Sequence, residues 1–264
     1  MQKTIVFIHG AWVTPLSWEN FKKYFESKGF KCIAPAWPYK DKSVEELKKS
    51  PPPELAGLGI TEIVDHYEKI IRSLDVPPIL IGHSFGGLFV EMLLDRGAGC
   101  AGVAIDPAPP KYVLPFYYPS VTKSFLRILL TPGGWRKIFH WSLKEFSYAF
   151  THTLPANEQK AAYDRYVVPE TGRIFFQASF ALFNNRTRVN FKNPSRAPLL
   201  LIAGSEDKVC PAAQIRNNHK MYRGSRTVTD FKEFGGRTHW LIAQKGWEEV
   251  AGYIEGWLNR QGDY

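Results

Sequence analysis

The chain has 264 residues, 44% hydrophobic, 14% aromatic and 22% charged, a mixture that excludes a disordered tail, a linker or a fibrous repeat. Its formal charge of +9 raises nucleic acid or an anionic surface as partners, but the excess is local. Pro107 to Arg196 holds thirteen Lys and Arg against four Asp and Glu, and the remainder is balanced.

In the flanks, short β-branched runs alternate with stretches of helical spacing, the pattern of a parallel sheet with crossover helices. The first half predicts strands at Thr4 to Ile8, Lys31 to Ala34, Pro78 to Ile81 and Ala101 to Ile105, separated by helices at Leu16 to Ser27, Ile60 to Leu74 and Phe85 to Arg96. The Pro51 to Pro53 run, with the lysines before it, reads as an exposed loop. After the charged middle, strands are predicted at Pro198 to Ala203 and Val228 to Phe231, with helices at Ala212 to Tyr222 and Trp247 to Arg260. Gly29, Gly97 and Gly224 fall where left-handed helix caps are common. The expected fold is α/β, a mostly parallel β-sheet flanked by helices. Residues 1–106 and 197–264 form its core, and 107–196 is a mainly helical insertion after the fourth strand. That insertion carries nearly half of the aromatic residues, from Tyr112, Phe116, Tyr117 and Tyr118 through Trp135 and Trp141 to Phe183.

Cys32, Cys100 and Cys210 are too few and too scattered for a disulfide framework or a zinc site, and free thiols are expected. No run of about 18 apolar residues is present and the first strand begins at once, so a cytoplasmic protein without stable membrane insertion is expected. No His or Cys set has metal-ligand spacing, and neither a metal nor a cofactor is implied.

The chemistry-bearing stretch is Gly82-His83-Ser84-Phe85-Gly86, a G-x-S-x-G pentapeptide between an apolar strand and an apolar helix. The pentapeptide alone occurs by chance in roughly one protein of this size in ten. The strand before it and helix after it supply the context of a nucleophile elbow, which needs glycines where side chains cannot fit and exposes the serine hydroxyl. A serine hydroxyl needs a base and a group that orients the base. Asp207 lies in the acidic turn after the strand Pro198 to Ala203, and His239 follows the last strand, giving the order serine, acid, histidine. Asp106 competes with Asp207 for the acid position from one strand earlier, and Glu206 adjoins it.

With these residues and His9-Gly10-Ala11-Trp12 after the first strand, the chain resembles the α/β-hydrolase fold superfamily, in the branch of single-domain bacterial esterases and cofactor-free haloperoxidase-like enzymes. The resemblance covers the core and implies Ser84 as nucleophile, His239 as general base and then acid, and Asp207 as orienting carboxylate. It also implies an oxyanion hole from the backbone N–H groups of Ala11 and Phe85, Trp12 and Trp240 as pocket residues, and His9 as a loop-stabilising histidine. His83 reads as a packing residue, and His66, His140, His152 and His219 as surface or cap residues, with His140 or His152 the two that could reach substrate.

The insertion admits three readings: a pocket for a bulky, aromatic and anionic substrate, a cap whose aromatics pack on the core beneath a solvated basic face, or attachment to an anionic membrane by the same residues. Nucleic acid is not expected, because no recognition motif accompanies the charge. The expected activity is cleavage of a carboxylic ester through an acyl-enzyme, with lactone, thioester and amide substrates open. A hydroxynitrile lyase-like enzyme or a small-molecule receptor is the alternative on the same scaffold. Oligomeric state is left open.

Overall fold

The computed structural model describes residues 2–114 and 118–262; Phe116 and Tyr117 of the aromatic set lie outside them. In chain order the strands are β1 (Thr4–Ile8), β2 (Lys31–Ile33), β3 (Ile79–His83), β4 (Ala101–Ile105), β5 (Ile138–Phe139), β6 (Glu170–Thr171), β7 (Leu199–Gly204) and β8 (Thr229–Phe234). The helices of the first half are α1 (Glu19–Ser27), α2 (Val44–Lys49), α3 (Ile60–Arg72) and α4 (Phe85–Asp95). Those between β4 and β7 are α5 (Pro119–Leu130), α6 (Leu143–Phe146), α7 (Ala156–Tyr166) and α8 (Arg173–Ser179), followed by α9 (Ala212–Met221) and α10 (Trp247–Arg260).

Six strands make one parallel sheet in the order β2-β1-β3-β4-β7-β8. Strands such as Leu199–Gly204 are apolar and buried throughout, because helices cover both faces. Alternate side chains then point to opposite layers. Val6, Ile8, Leu80 and Leu201 pack with α3 and α4, while Ile5, Phe7, Ile81 and Ile202 pack with α1 and α10. From β1 the chain runs out to β2 and returns to β3 on the other side of β1. The crevice beyond the carboxyl ends of β1 and β3 is therefore the topological switch point, where open α/β sheets bind ligands.

Three local expectations are corrected. The helix predicted from Leu16 starts at Glu19, because Pro15–Trp18 forms a 3-10 turn begun by Thr14, whose side chain accepts from the Leu16 N–H. The lysines read as an exposed loop include Lys48 and Lys49 of the last turn of α2, a short helix opened by a Ser43–Glu46 capping box. The mainly helical segment between β4 and β7 also contains an antiparallel pair, β5 with β6, that pairs Phe139 with Glu170. Gly29, Gly97 and Gly224 do take positive φ at helix ends, and the three cysteines are free.

Candidate active site

Ser84 joins β3 to α4 at φ 58°, ψ −122°, a conformation that non-glycine residues rarely adopt and that costs on the order of 1–3 kcal/mol. Its N–H donates to the Ile105 carbonyl at 2.9 Å, and its carbonyl accepts from Gly87 and Ala108 at 2.9 and 3.0 Å, which fixes the turn from both sides. A Cβ on Gly86 would collide with the Ile8 carbonyl, and one on Gly82 with the Gly86 carbonyl. The elbow thus lies against the end of β1. A Cβ on Gly10 would stand 2.8 Å from that of Ser84, so the loop carrying Ala11 borders the serine. Among the described residues, no backbone hydrogen bond engages the N–H groups of Ala11 or Phe85.

His239, in the loop after β8, bonds through Nδ1 to Asp207 Oδ2 at 2.6 Å, with both side chains fully buried. The other oxygen of Asp207 accepts from the Val209 and Cys210 N–H groups at 2.6 and 2.8 Å, so the carboxylate cannot swing. The Nε2 of His239 is buried and has no hydrogen-bond partner among the described residues. His83 braces this loop: its Nε2 lies 2.8 Å from the His239 carbonyl, and burial, then the neighbouring His239, hold it well below the usual imidazole range, so it is neutral and donates.

Asp106, the competing acid, has Oδ2 at 4.0 Å from His239 Nδ1, and its Oδ1 accepts from the Gly204 N–H at 2.8 Å. Burial, then the adjacent Asp207 carboxylate, push Asp106 well above the usual carboxylate range. His9 lies under the β1 loop, where its Nε2 accepts from the Trp37 N–H at 3.2 Å and its Nδ1 donates to the Gly10 carbonyl at 2.8 Å. His66 and His219 bond to the Ala36 and Thr229 carbonyls, and Glu206 is exposed.

Above the serine lies a cleft with about 580 Å³ of atom-free space, part of it open to solvent, floored by Ala11, Ser84 and Phe85. Trp12 lines it, with Phe125, Trp141 and Phe175 of the segment between β4 and β7, and among the described residues no charged side chain does. Trp240, predicted beside it, instead packs on Phe146, Phe150 and Tyr166 and is not a lining residue; neither are His140 and His152. Among the described residues, potential metal ligands converge within 4.8 Å as His83–Asp106–His239 and as Asp207–Cys210–His239, but both sets use His239, whose Nδ1 is engaged by Asp207. The sequence reading missed a buried ion pair, Lys40 with Glu170, at 2.7 Å. Their separation of 130 residues left no local signal.

A model of the alpha/beta hydrolase family matches residues 5–252. The chain belongs to that family. Over 98% of this α/β-hydrolase and 95% of the other chain, it is similar to the monoacylglycerol lipase of Paleococcus ferrophilus, at 21% identity and a TM-score of 0.66. A carboxylesterase of the thaumarchaeon Nitrososphaera gargenis matches at 18% identity and a TM-score of 0.69, over 98% of this chain and 90% of that one. A methylesterase from Arabidopsis matches at 13% and 0.69, over 97% and 99%. At such identities the likeness speaks for the fold. No curated protein matches the sequence. Among the described residues, no helix is long and apolar enough to cross a membrane.

Proposed function

We propose that the chain is a serine hydrolase that cleaves an uncharged carboxylic ester through an acyl-enzyme. The observation that carries the reading is the His239–Asp207 bond of 2.6 Å, which leaves a buried, unpartnered Nε2 in a loop braced by the residue next to Ser84. Asp207 fixes the tautomer with the proton on Nδ1, so Nε2 is a free base. Ser84 Oγ attacks the ester carbonyl as Nε2 takes its proton; the tetrahedral oxyanion is held by the Ala11 and Phe85 N–H groups, the latter at the positive end of α4. The imidazolium then gives its proton to the leaving alcohol. Water, deprotonated by the same nitrogen, releases the acid and regenerates Ser84.

The segment between β4 and β7 acts as the cap of this site, and its aromatic walls favour an apolar acyl or alcohol group. Lipase and esterase relatives with this fold are consistent with that chemistry. The test is the intact mass of wild type and Ser84→Ala after exposure to a fluorophosphonate. One adduct on the wild type and none on the variant is expected. A folded wild type that takes no label and hydrolyses no ester would sink the reading in favour of a receptor on the same scaffold.

A further inference from the structure

The loop that supplies Ala11 is held in part from outside it. Trp12, the next residue, sits at φ 69°, in the left-handed region that a tryptophan rarely adopts. Both of its backbone groups are engaged by the cap: its N–H donates to Glu170 Oε2 at 3.0 Å, and its carbonyl accepts from the Val168 N–H at 2.8 Å. The same Glu170 oxygen accepts from Lys40 Nζ at 2.7 Å, and both side chains have no solvent exposure. The other oxygen accepts from the Thr171 N–H at 2.9 Å. Three distant segments, the loops after β1 and β2 and the cap strand β6, therefore meet on one carboxylate.

An ion pair this buried is poor evidence for stability, because apolar side chains of the same size generally serve as well. What they cannot do is accept the Trp12 N–H. A bare carboxylate would also be a poor neighbour for an oxyanion forming one peptide away, and Lys40 neutralises it. We infer that Glu170, charge-balanced by Lys40, is the positioning residue of the oxyanion loop, holding the Trp12 peptide so that the Ala11 N–H stays available beside Ser84. The inference rests on the serine-hydrolase reading for its effect on rate, though not for the hydrogen bond itself. The cap is then part of the catalytic frame as well as a cover over it.

Two double variants separate positioning from packing. Glu170→Leu with Lys40→Met keeps the volume and removes the acceptor; its kcat on a neutral p-nitrophenyl ester is expected to fall roughly 100-fold, with KM within about threefold. Glu170→Gln with Lys40→Met removes both charges but keeps an acceptor oxygen, and is expected within about threefold of wild type. Amide exchange at Trp12, read by NMR, should be slow in wild type and in the Gln variant and fast in the Leu variant. Near-ultraviolet circular dichroism from the Trp12–Trp141 stack, with ring centroids 4.2 Å apart, checks that each is folded. A folded Leu variant with wild-type kcat overturns the inference. If that variant does not fold, the Gln variant decides: wild-type kcat supports the inference, and a lost kcat with Trp12 still protected overturns it. Fast exchange at Trp12 in wild type overturns it directly. A wild type inert to esters and to fluorophosphonate, with Trp12 protected, instead sinks the hydrolase reading and leaves the loop contact standing.

Discussion

Two carboxyl groups reach toward one imidazole at different distances. Asp207 lies 2.6 Å from His239 Nδ1 and Asp106 4.0 Å away, and burial, then the charge of Asp207, push Asp106 well above the usual carboxylate range. An asparagine in place of Asp207 would favour the wrong tautomer, with Nε2 protonated, so kcat for Asp207→Asn should fall by about 10⁴. Asp106→Asn keeps the shape of a group that makes no hydrogen bond to His239 and should keep kcat within about tenfold, as a parallel rate measurement on the two purified variants will reveal. Equal losses would mean that the two acids act as a unit. Both acids could be found in the sequence, since each follows an apolar strand pattern, Asp106 directly and Asp207 in the turn beyond it. The family resemblance favours Asp207; what no residue pattern encodes is the turn after β7, where the Val209 and Cys210 N–H groups aim its carboxylate.

At the scale of elements, α4 carries the elbow at one end and a buried acid in its middle. Glu91 accepts from Asn218 Nδ2 of α9 at 2.9 Å and from the Tyr222 hydroxyl at 2.7 Å, and burial raises it from 4.5 to about 7. Because the folded value lies above the unfolded one, its contribution to stability is fully present below about pH 4.5 and is lost as pH rises through about 7, a swing on the order of 3 kcal/mol. Glu91→Gln keeps an acceptor for Tyr222 and removes the titration. Thermal unfolding of the variant should therefore gain on wild type between pH 5 and 8, and a constant Tm difference across that range would refute the account. Gly86→Ala tests the other end: its Cβ meets the Ile8 carbonyl, a backbone atom that cannot move aside, so loss of soluble folded protein or a Tm drop of several degrees is expected. The core elements were legible because apolar runs and elbow glycines are local signals. The pairing of β5 with β6 was not, because two-residue strands are made by partners and leave no periodicity.

Across the whole molecule, the charge imbalance and the cavity turn out to be separate features of one segment. Phe125, Trp141, Phe150 and Phe175 of the segment between β4 and β7 line the cleft, while several cations of that segment are spent on pairs: Arg127 with Glu145, Arg165 with Glu19, Lys160 with Asp164. Among the described residues none of the cations lines the cleft, so composition alone merged an apolar pocket with a basic exterior. A substrate carboxylate entering this cleft would leave water for a site with no cation to meet it, a cost of several kcal/mol for an unpaired charge. An ester bearing a free carboxylate should therefore have a kcat/KM at least about 100-fold below that of its methyl-capped analogue. Added salt distinguishes this from surface steering: raising ionic strength until the screening length falls from about 30 Å to about 3 Å should leave the neutral ester unchanged. If the charged ester is the better substrate at low salt and loses its advantage as salt is added, the exterior field directs substrate to Ser84 and the apolar cleft does not set the specificity.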